Sequence, residues 1–139
     1  MKTPLLFFII LFFSLTTFSQ SITGTWKTYD DETGTAKSHV KIWKGTDDKY
    51  YGKIIKLLDA DDQSEVCSKC EGNKKDQPII GMVIIDGLEK DDEEYEDGTI
   101  LDPNNGKVYD CKLWLEDGKL QVRVYWGWFY RTQTWEKVQ

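Results

Sequence analysis

From Thr23 onward, apolar and polar residues alternate with a period of two, in runs broken by Gly, Asp and Asn. A period of two sends successive side chains to opposite faces, the pattern of a half-buried strand. Lys37–Lys44 places Val40 and Ile42 on one face and His39, Lys41 and Trp43 on the other. Lys107–Leu115 sets Tyr109, Cys111, Leu113 and Leu115 against Val108, Asp110, Lys112 and Trp114. Leu120, Val122, Val124 and Trp126 then alternate with Gln121, Arg123 and Tyr125. Thr23–Tyr29, Tyr50–Leu58 and Phe129–Val138 read as further strands, and Ile79–Ile85 as a buried one behind Pro78. Turn residues stand at Asp31–Gly34, Gly45–Asp48, Asp97-Gly98, Asn104–Gly106 and Glu116–Gly118. A long polar loop runs from Asp59 to Gln77, and no segment has a helical period. The pattern predicts an all-β chain of about eight strands with short sequential connections, an antiparallel meander.

Two tryptophan motifs bracket these strands: Gly24-Thr25-Trp26 at the start and Arg131-Thr132-Gln133-Thr134-Trp135-Glu136-Lys137 at the end. The layout suggests a sheet closed on itself, its first and last strands paired, with an interior that could hold a ligand.

Residues 1–19 do not fit the strand pattern. Lys2 precedes a nine-residue apolar run, Leu5 to Phe13, and small and polar residues follow through Thr17 and Ser19. This is the order of a secretory signal peptide. Cleavage after Ser19 fits best, with Gln20 next. The run is short for a membrane span, and no Cys lies nearby to carry a lipid. The expectation is a periplasmic or secreted protein, with no membrane anchor after cleavage and a single domain over 20–139. About 120 residues can bury one core. The formal charge of −6 comes with no basic stripe. That argues against nucleic acid and against anionic membrane surfaces. The acidic residues sit in turns such as Asp30-Asp31-Glu32 and Asp91-Asp92-Glu93-Glu94 and read as solvated loop tips. No EF-hand spacing is present.

Catalytic signals are thin. His39 is the sole histidine, and Ser38 points to the opposite face of its strand. No nucleophile elbow, phosphate loop or zinc-protease helix motif occurs, so enzymatic activity ranks last and no catalytic residue or cofactor is assigned. Cys67 and Cys70 lie in the long loop, and in an oxidising compartment such a pair reads as a disulfide. Zinc held by Cys67, Cys70, Cys111 and His39 is the alternative. Cys111 lies on an apolar strand face, the setting of a buried structural thiol. In the last strand, Arg131, Gln133, Trp135 and Lys137 share a face. If Trp135 points inward, Arg131 and Gln133 follow it. A desolvated guanidinium needs an internal acid or an anionic ligand. The competing reading stacks Arg131 on an aromatic or pairs it with an acid at the rim.

Gly24-x-Trp26 resembles the opening motif of lipocalin and fatty-acid-binding barrels. There, a basic residue near the end of the last strand packs over the Trp, which makes Lys137 the counterpart here. A closer resemblance spans nearly the whole mature chain. Gly24-Thr25-Trp26, Cys67-x-x-Cys70-x-Gly72, Pro78-Ile79-x-Gly81, Leu101-Asp102-Pro103-x-x-Gly106-x-x-Tyr109 and Arg131–Trp135 are similar to domain of unknown function 2147. That family comprises small exported bacterial proteins with a lipocalin-like barrel and no established activity. Its pattern often has Gly before the Arg; Tyr130 stands there in this chain and changes what packs beside Arg131. The resemblance implies a lipocalin-like (calycin) up-and-down barrel. The leading functional expectation is non-catalytic binding of a small, partly apolar molecule with an acidic headgroup, through Arg131, Gln133 and Trp135. The alternative is a barrel filled by its own aromatics, acting on a protein partner in the cell envelope.

Overall fold

The computed structural model describes Ser14 and residues 20–139; the rest of residues 1–19, where a signal peptide is expected, lies outside the described residues. Eight strands follow one another: β1 (Gly24–Tyr29), β2 (Ala36–Lys44), β3 (Tyr50–Leu57), β4 (Val83–Asp91), β5 (Glu94–Asp102), β6 (Lys107–Glu116), β7 (Lys119–Trp126) and β8 (Phe129–Lys137). Each pairs antiparallel with the next, and β8 returns to β1, closing the barrel. The alternation in the sequence is the cause. Trp26, Val40, Ile42, Ile54, Ile85, Leu88, Tyr95, Ile100, Leu113, Leu120, Val122 and Trp135 are buried. Cross-strand pairing keeps them on one face, as in Trp26↔Val40, Ile85↔Ile100, Leu113↔Val122 and Leu120↔Trp135. Tight hairpins set the register. Asp117 and Gly118 both take positive φ (52° and 76°) at the β6–β7 turn, which suits the right-handed twist of the strands they join.

Two sequence expectations are corrected. Ile79–Ile85 is not one strand, since β4 begins at Val83. Gly81 takes φ +91°, which breaks the extended run. Its N–H reaches the Ile54 carbonyl at 2.6 Å, so the segment turns back onto β3, and Ile79 and Met82 are buried as loop residues. Asp97-Gly98 is a bulge inside β5 rather than a turn; the β5–β6 register shifts between Tyr95 and Gly98, and Asp97 takes φ +61°. A β-carbon on Gly98 would stand 2.6 Å from the Asp86 carbonyl oxygen, so the close approach of β4 and β5 is what calls for glycine there.

The two ends of the barrel differ. At the closed end, Trp26 is 2% exposed and its indole N–H donates to the Ile22 carbonyl at 2.8 Å. Lys137 Nζ lies 4.8 Å over the Trp26 ring and donates to the Thr23 carbonyl at 3.0 Å. The β1–β8 ladder comprises Trp26↔Lys137 and Lys27↔Glu136, extended by a bond from the Val138 N–H to the Thr25 carbonyl. Farther up, side chains hold the seam: the Tyr29 hydroxyl donates to Glu136 at 3.0 Å. At the open end lie the connections after β1, β3, β5 and β7. The long β3–β4 connection contains two short 3₁₀ turns, Ala60–Asp62 and Gly72–Lys74. It crosses to the β5–β6 turn, where the Cys67 sulfur stands 3.6 Å from the Pro103 carbonyl oxygen.

The open end of the barrel as candidate functional site

The β7–β8 hairpin turns on Gly127 and Trp128, with Gly127 at φ +61°. Glycine at the first central position permits the tight mirror-image turn that hairpins favour. The turn holds a cluster of aromatics at the rim. Trp128 is 86% exposed, Tyr130 60%, Phe129 50% and Trp126 44%. Trp128 stacks on Phe129 at 4.1 Å between ring centroids, Trp126 on Phe129 at 6.4 Å, and Tyr109 meets Trp126 edge-on at 6.4 Å. From Val124 to Tyr130 no residue carries a charge.

The arginines on either side of this stretch are both engaged. On the outer face, the Arg123 guanidinium sits between the Trp114 and Tyr130 rings, 4.8 and 4.4 Å from their centroids, and its Nε donates to Thr132 Oγ1 at 3.0 Å. Arg131 shares the inward-facing side of β8 with Gln133 and Trp135, but it lies beyond the packed layers and is half-exposed. Its NH2 pairs with Asp31 Oδ2 at 3.2 Å, and the Gln133 Nε2 donates to the same oxygen at 2.6 Å. The Trp135 indole N–H donates to Gln133 Oε1 at 3.0 Å. A polar chain therefore runs from the buried Trp135 through Gln133 to the Asp31–Arg131 pair. The desolvated guanidinium considered from the sequence is not what stands here; Arg131 has an acid at the rim. Trp135 is itself core, 3% exposed, and reaches the mouth only through Gln133.

The buried side chains pack into one apolar cluster, with Tyr50 and Tyr95 meeting edge-on at 4.8 Å inside the barrel. Thr28 and Ser38 satisfy each other across β1 and β2 at 2.6 Å. Among the described residues the Tyr95 hydroxyl is the buried side-chain N or O atom left without a partner. The polar groups of the interior are thus the Thr28–Ser38 pair, the Gln133 amide and the Tyr95 hydroxyl, and the first two are already bonded within the chain. An open concavity of ≈ 370 Å³ lies outside the lumen, between the disulfide loop and the β5–β6 turn, lined by Cys70, Lys74, Leu101, Val108 and Tyr109 among others. Another, ≈ 620 Å³ and mostly polar, lies beside the β2–β3 and β4–β5 turns.

Cys67 and Cys70 form a disulfide with Cα atoms 5.3 Å apart. Cys111 is free and buried, and burial, with a lesser contribution from the Asp110 carboxylate, pushes its thiol up to about 12. It is no nucleophile at neutral pH. The four zinc candidates are not brought together: two are bonded to each other, Cys111 faces the lumen, and His39 stands on the outer side of β2 opposite Lys27 and Lys56. Partial burial, then Lys56 and Lys27, lower the His39 pKa.

Sequence reasoning missed the aromatic hairpin tip and the role of Asp31. The uncharged run Val124–Tyr130 across a glycine turn was the signal for the first. The second had none, because Asp31 and Arg131 are distant in the chain and meet only through barrel closure.

Comparison with known proteins bears on the whole barrel. Helicobacter pylori protein HP1028, described as belonging to the lipocalin family, has a solved structure that superimposes with a TM-score of 0.74 at 18% identity, covering 86% of this chain and 84% of that one. At that identity the likeness is one of fold. No curated protein matches the sequence. The profile of the family described as "Uncharacterized protein conserved in bacteria (DUF2147)" matches residues 24–137, from the Gly-x-Trp opening to the lysine that covers it. With that match over an eight-stranded closed barrel, the chain belongs to the DUF2147 family and has a lipocalin-like fold.

Proposed function

We propose that this protein is an exported, non-catalytic recognition module that works from the outside of a filled barrel, through its aromatic open end. The observation that carries the reading is the concentration of exposed apolar area. Trp126, Trp128, Phe129, Tyr130 and Val108 are gathered around the β7–β8 and β5–β6 turns, whereas the other large apolar residues exposed among those described stand singly, Ile55 on β3 and Val66 in the β3–β4 connection. Scattered apolar residues on a surface need no explanation; a contiguous aromatic patch marks an interaction surface. Trp, Tyr and Arg are also the side chains that dominate binding energy at interfaces. Hydroxyl-radical footprinting tests the reading. Trp126 and Trp128 are expected to be at least several-fold less oxidised in the cell-envelope fraction than in the purified protein, with Ile55 and Val66 unchanged. Equal oxidation in both settings would remove the aromatic end as the working surface.

A second reading is favoured by the Asp31 contact. One carboxylate oxygen is held by both Arg131 and Gln133 at the barrel mouth, the arrangement that would hold the acidic headgroup of a small amphipathic ligand, with Trp126 and Phe129 against its apolar part. An exposed pair of this kind contributes under about 1 kcal/mol, so a ligand's carboxylate can displace Asp31. Calorimetry with medium-chain fatty acids and with alcohols of equal length checks this. Arg131→Met is expected to weaken acid binding about tenfold, equivalent to 1.4 kcal/mol, and to leave alcohol binding unchanged. An identical response to both series would exclude Arg131 from ligand recognition.

A further inference from the structure

The geometry points to a lipid bilayer surface, zwitterionic rather than anionic, as what the aromatic hairpin tip recognises. This rests on the reading of the open end as the working surface and names its partner.

Shape is the first argument. Trp128 is the second residue of a two-residue turn and protrudes with 86% of its surface exposed. The patch is therefore a convex tip. A protein partner would have to supply a fitted hollow; the headgroup region of a bilayer yields to a protrusion of any shape. The second argument is side-chain chemistry. Trp and Tyr have an apolar body and a polar tip, which is why they concentrate where hydrocarbon meets water. Two Trp, one Phe and two Tyr occupy the seven uncharged positions Val124–Tyr130. No charge would have to be dragged into the interface. The third is rigidity. A turn fixed by the β7–β8 ladder, its rings already stacked at 4.1 and 6.4 Å, loses little conformational freedom on insertion.

Charge decides which bilayer. The arginines nearest the tip are spent within the molecule, Arg123 between Trp114 and Tyr130 and Arg131 on Asp31. Moving Arg131 onto a lipid phosphate would leave the Asp31 carboxylate unpaired against the same surface. The acidic turn Asp30-Asp31-Glu32 stands at the same end, and the chain carries −6 overall. An anionic surface would repel this end over roughly a Debye length, about 10 Å at 0.1 M salt. The lysines of the β3–β4 connection and the β5–β6 turn, Lys69, Lys74, Lys75 and Lys107, are outnumbered by the acids of the same two connections, so the contact left to the tip is the apolar one, available at a neutral surface.

The test is sedimentation with vesicles, using the chain from Gln20 onward. The barrel closes within residues 22–138, and the apolar leader, which would bind lipid by itself, is thereby kept out. Partition into phosphatidylcholine vesicles is expected. Trp128→Ser with Phe129→Ser should reduce it at least tenfold while the circular dichroism of the barrel stays unchanged; both side chains are exposed, so folding does not depend on them. Ile55→Ser, on the outer face of β3, should bind as the parent does. Replacing about a third of the lipid with phosphatidylglycerol should weaken partition at low salt, and added salt should restore it. Overturning results are an absence of partition at millimolar lipid, an unchanged partition of the double variant, or stronger binding to the anionic vesicles. Trp128 protected in the cell envelope but not by vesicles would overturn lipid as the partner and leave the aromatic end as a surface for a macromolecule.

Discussion

Replacing Trp26 by alanine is expected to cost about 3–5 kcal/mol of stability, the range for truncating a buried aromatic. Several contacts are lost together. The indole is almost fully buried, its N–H holds the Ile22 carbonyl, and its ring supports the Lys137 ammonium. Alanine leaves a cavity at the closed end, an unpaired carbonyl beside it and a lysine with nothing beneath it. The site also lies where the β1–β8 ladder is at its firmest, so weakening it acts on barrel closure as well as on packing. Domains of this size are held by about 5–15 kcal/mol in total, which places the variant close to unfolding at ordinary temperature. Urea titration followed by far-ultraviolet circular dichroism measures the change. A loss below about 1 kcal/mol would mean that the closed end is not held by this residue.

Gly106→Ala is expected to cost about 2–5 kcal/mol, and for a different reason. Gly106 takes φ +72°, in the left-handed region where a β-carbon adds about 1–2 kcal/mol of strain. A β-carbon there would also overlap the Lys69 carbonyl, inside the disulfide loop; overpacking of that kind adds about 1–3 kcal/mol. Gly34→Ala is the control. It has the same sign of φ (+71°) but open space around it, so it suffers the strain alone. The difference between the two variants isolates the contact between the β5–β6 turn and the β3–β4 connection. Limited trypsin digestion locates it, because a loop lifted off Gly106 loses its backbone support and is cut after Lys69 and Lys74 before the barrel opens. Equal losses for Gly34→Ala and Gly106→Ala would show that the loop does not lean on this turn.

Much of the fold was legible because a period-two pattern is local. Tyr109, Cys111, Leu113 and Leu115 could be assigned to one face from their spacing, and the structure keeps them on it. Trp26 and Lys137 were legible as neighbours because antiparallel closure forces the ends of the chain together. The misread segments involve glycines whose reason lies elsewhere in the molecule. Gly81 turns the chain back onto Ile54, and Gly98 makes room for the backbone of β4; neither neighbour is near it in sequence. The site was legible in its face but not in its depth. Spacing puts Arg131 on the side of Trp135, yet only the height of the residue along the barrel decides that Trp135 is core and Arg131 is rim. Asp31 could not be picked out from its neighbours Asp30 and Glu32, which carry the same charge and make no contact with Arg131 or Gln133.

The closed end has a consequence for the order of events during synthesis. The contact that completes the barrel joins Trp26 of the first strand to Lys137 of the eighth. Every hairpin from β1 to β7 can form as the chain emerges, but none of them covers Trp26 or satisfies the outer edge of β1. A nascent chain that stops before Phe129 is a curled sheet with two open edges, and such edges are templates for wrong pairing. Closure over so long a separation is also slow, because the entropy of the long loop is lost before the contact forms. Under the proposed export, a chain that crosses a membrane unfolded benefits from this timing, since its barrel cannot lock before β8 has emerged.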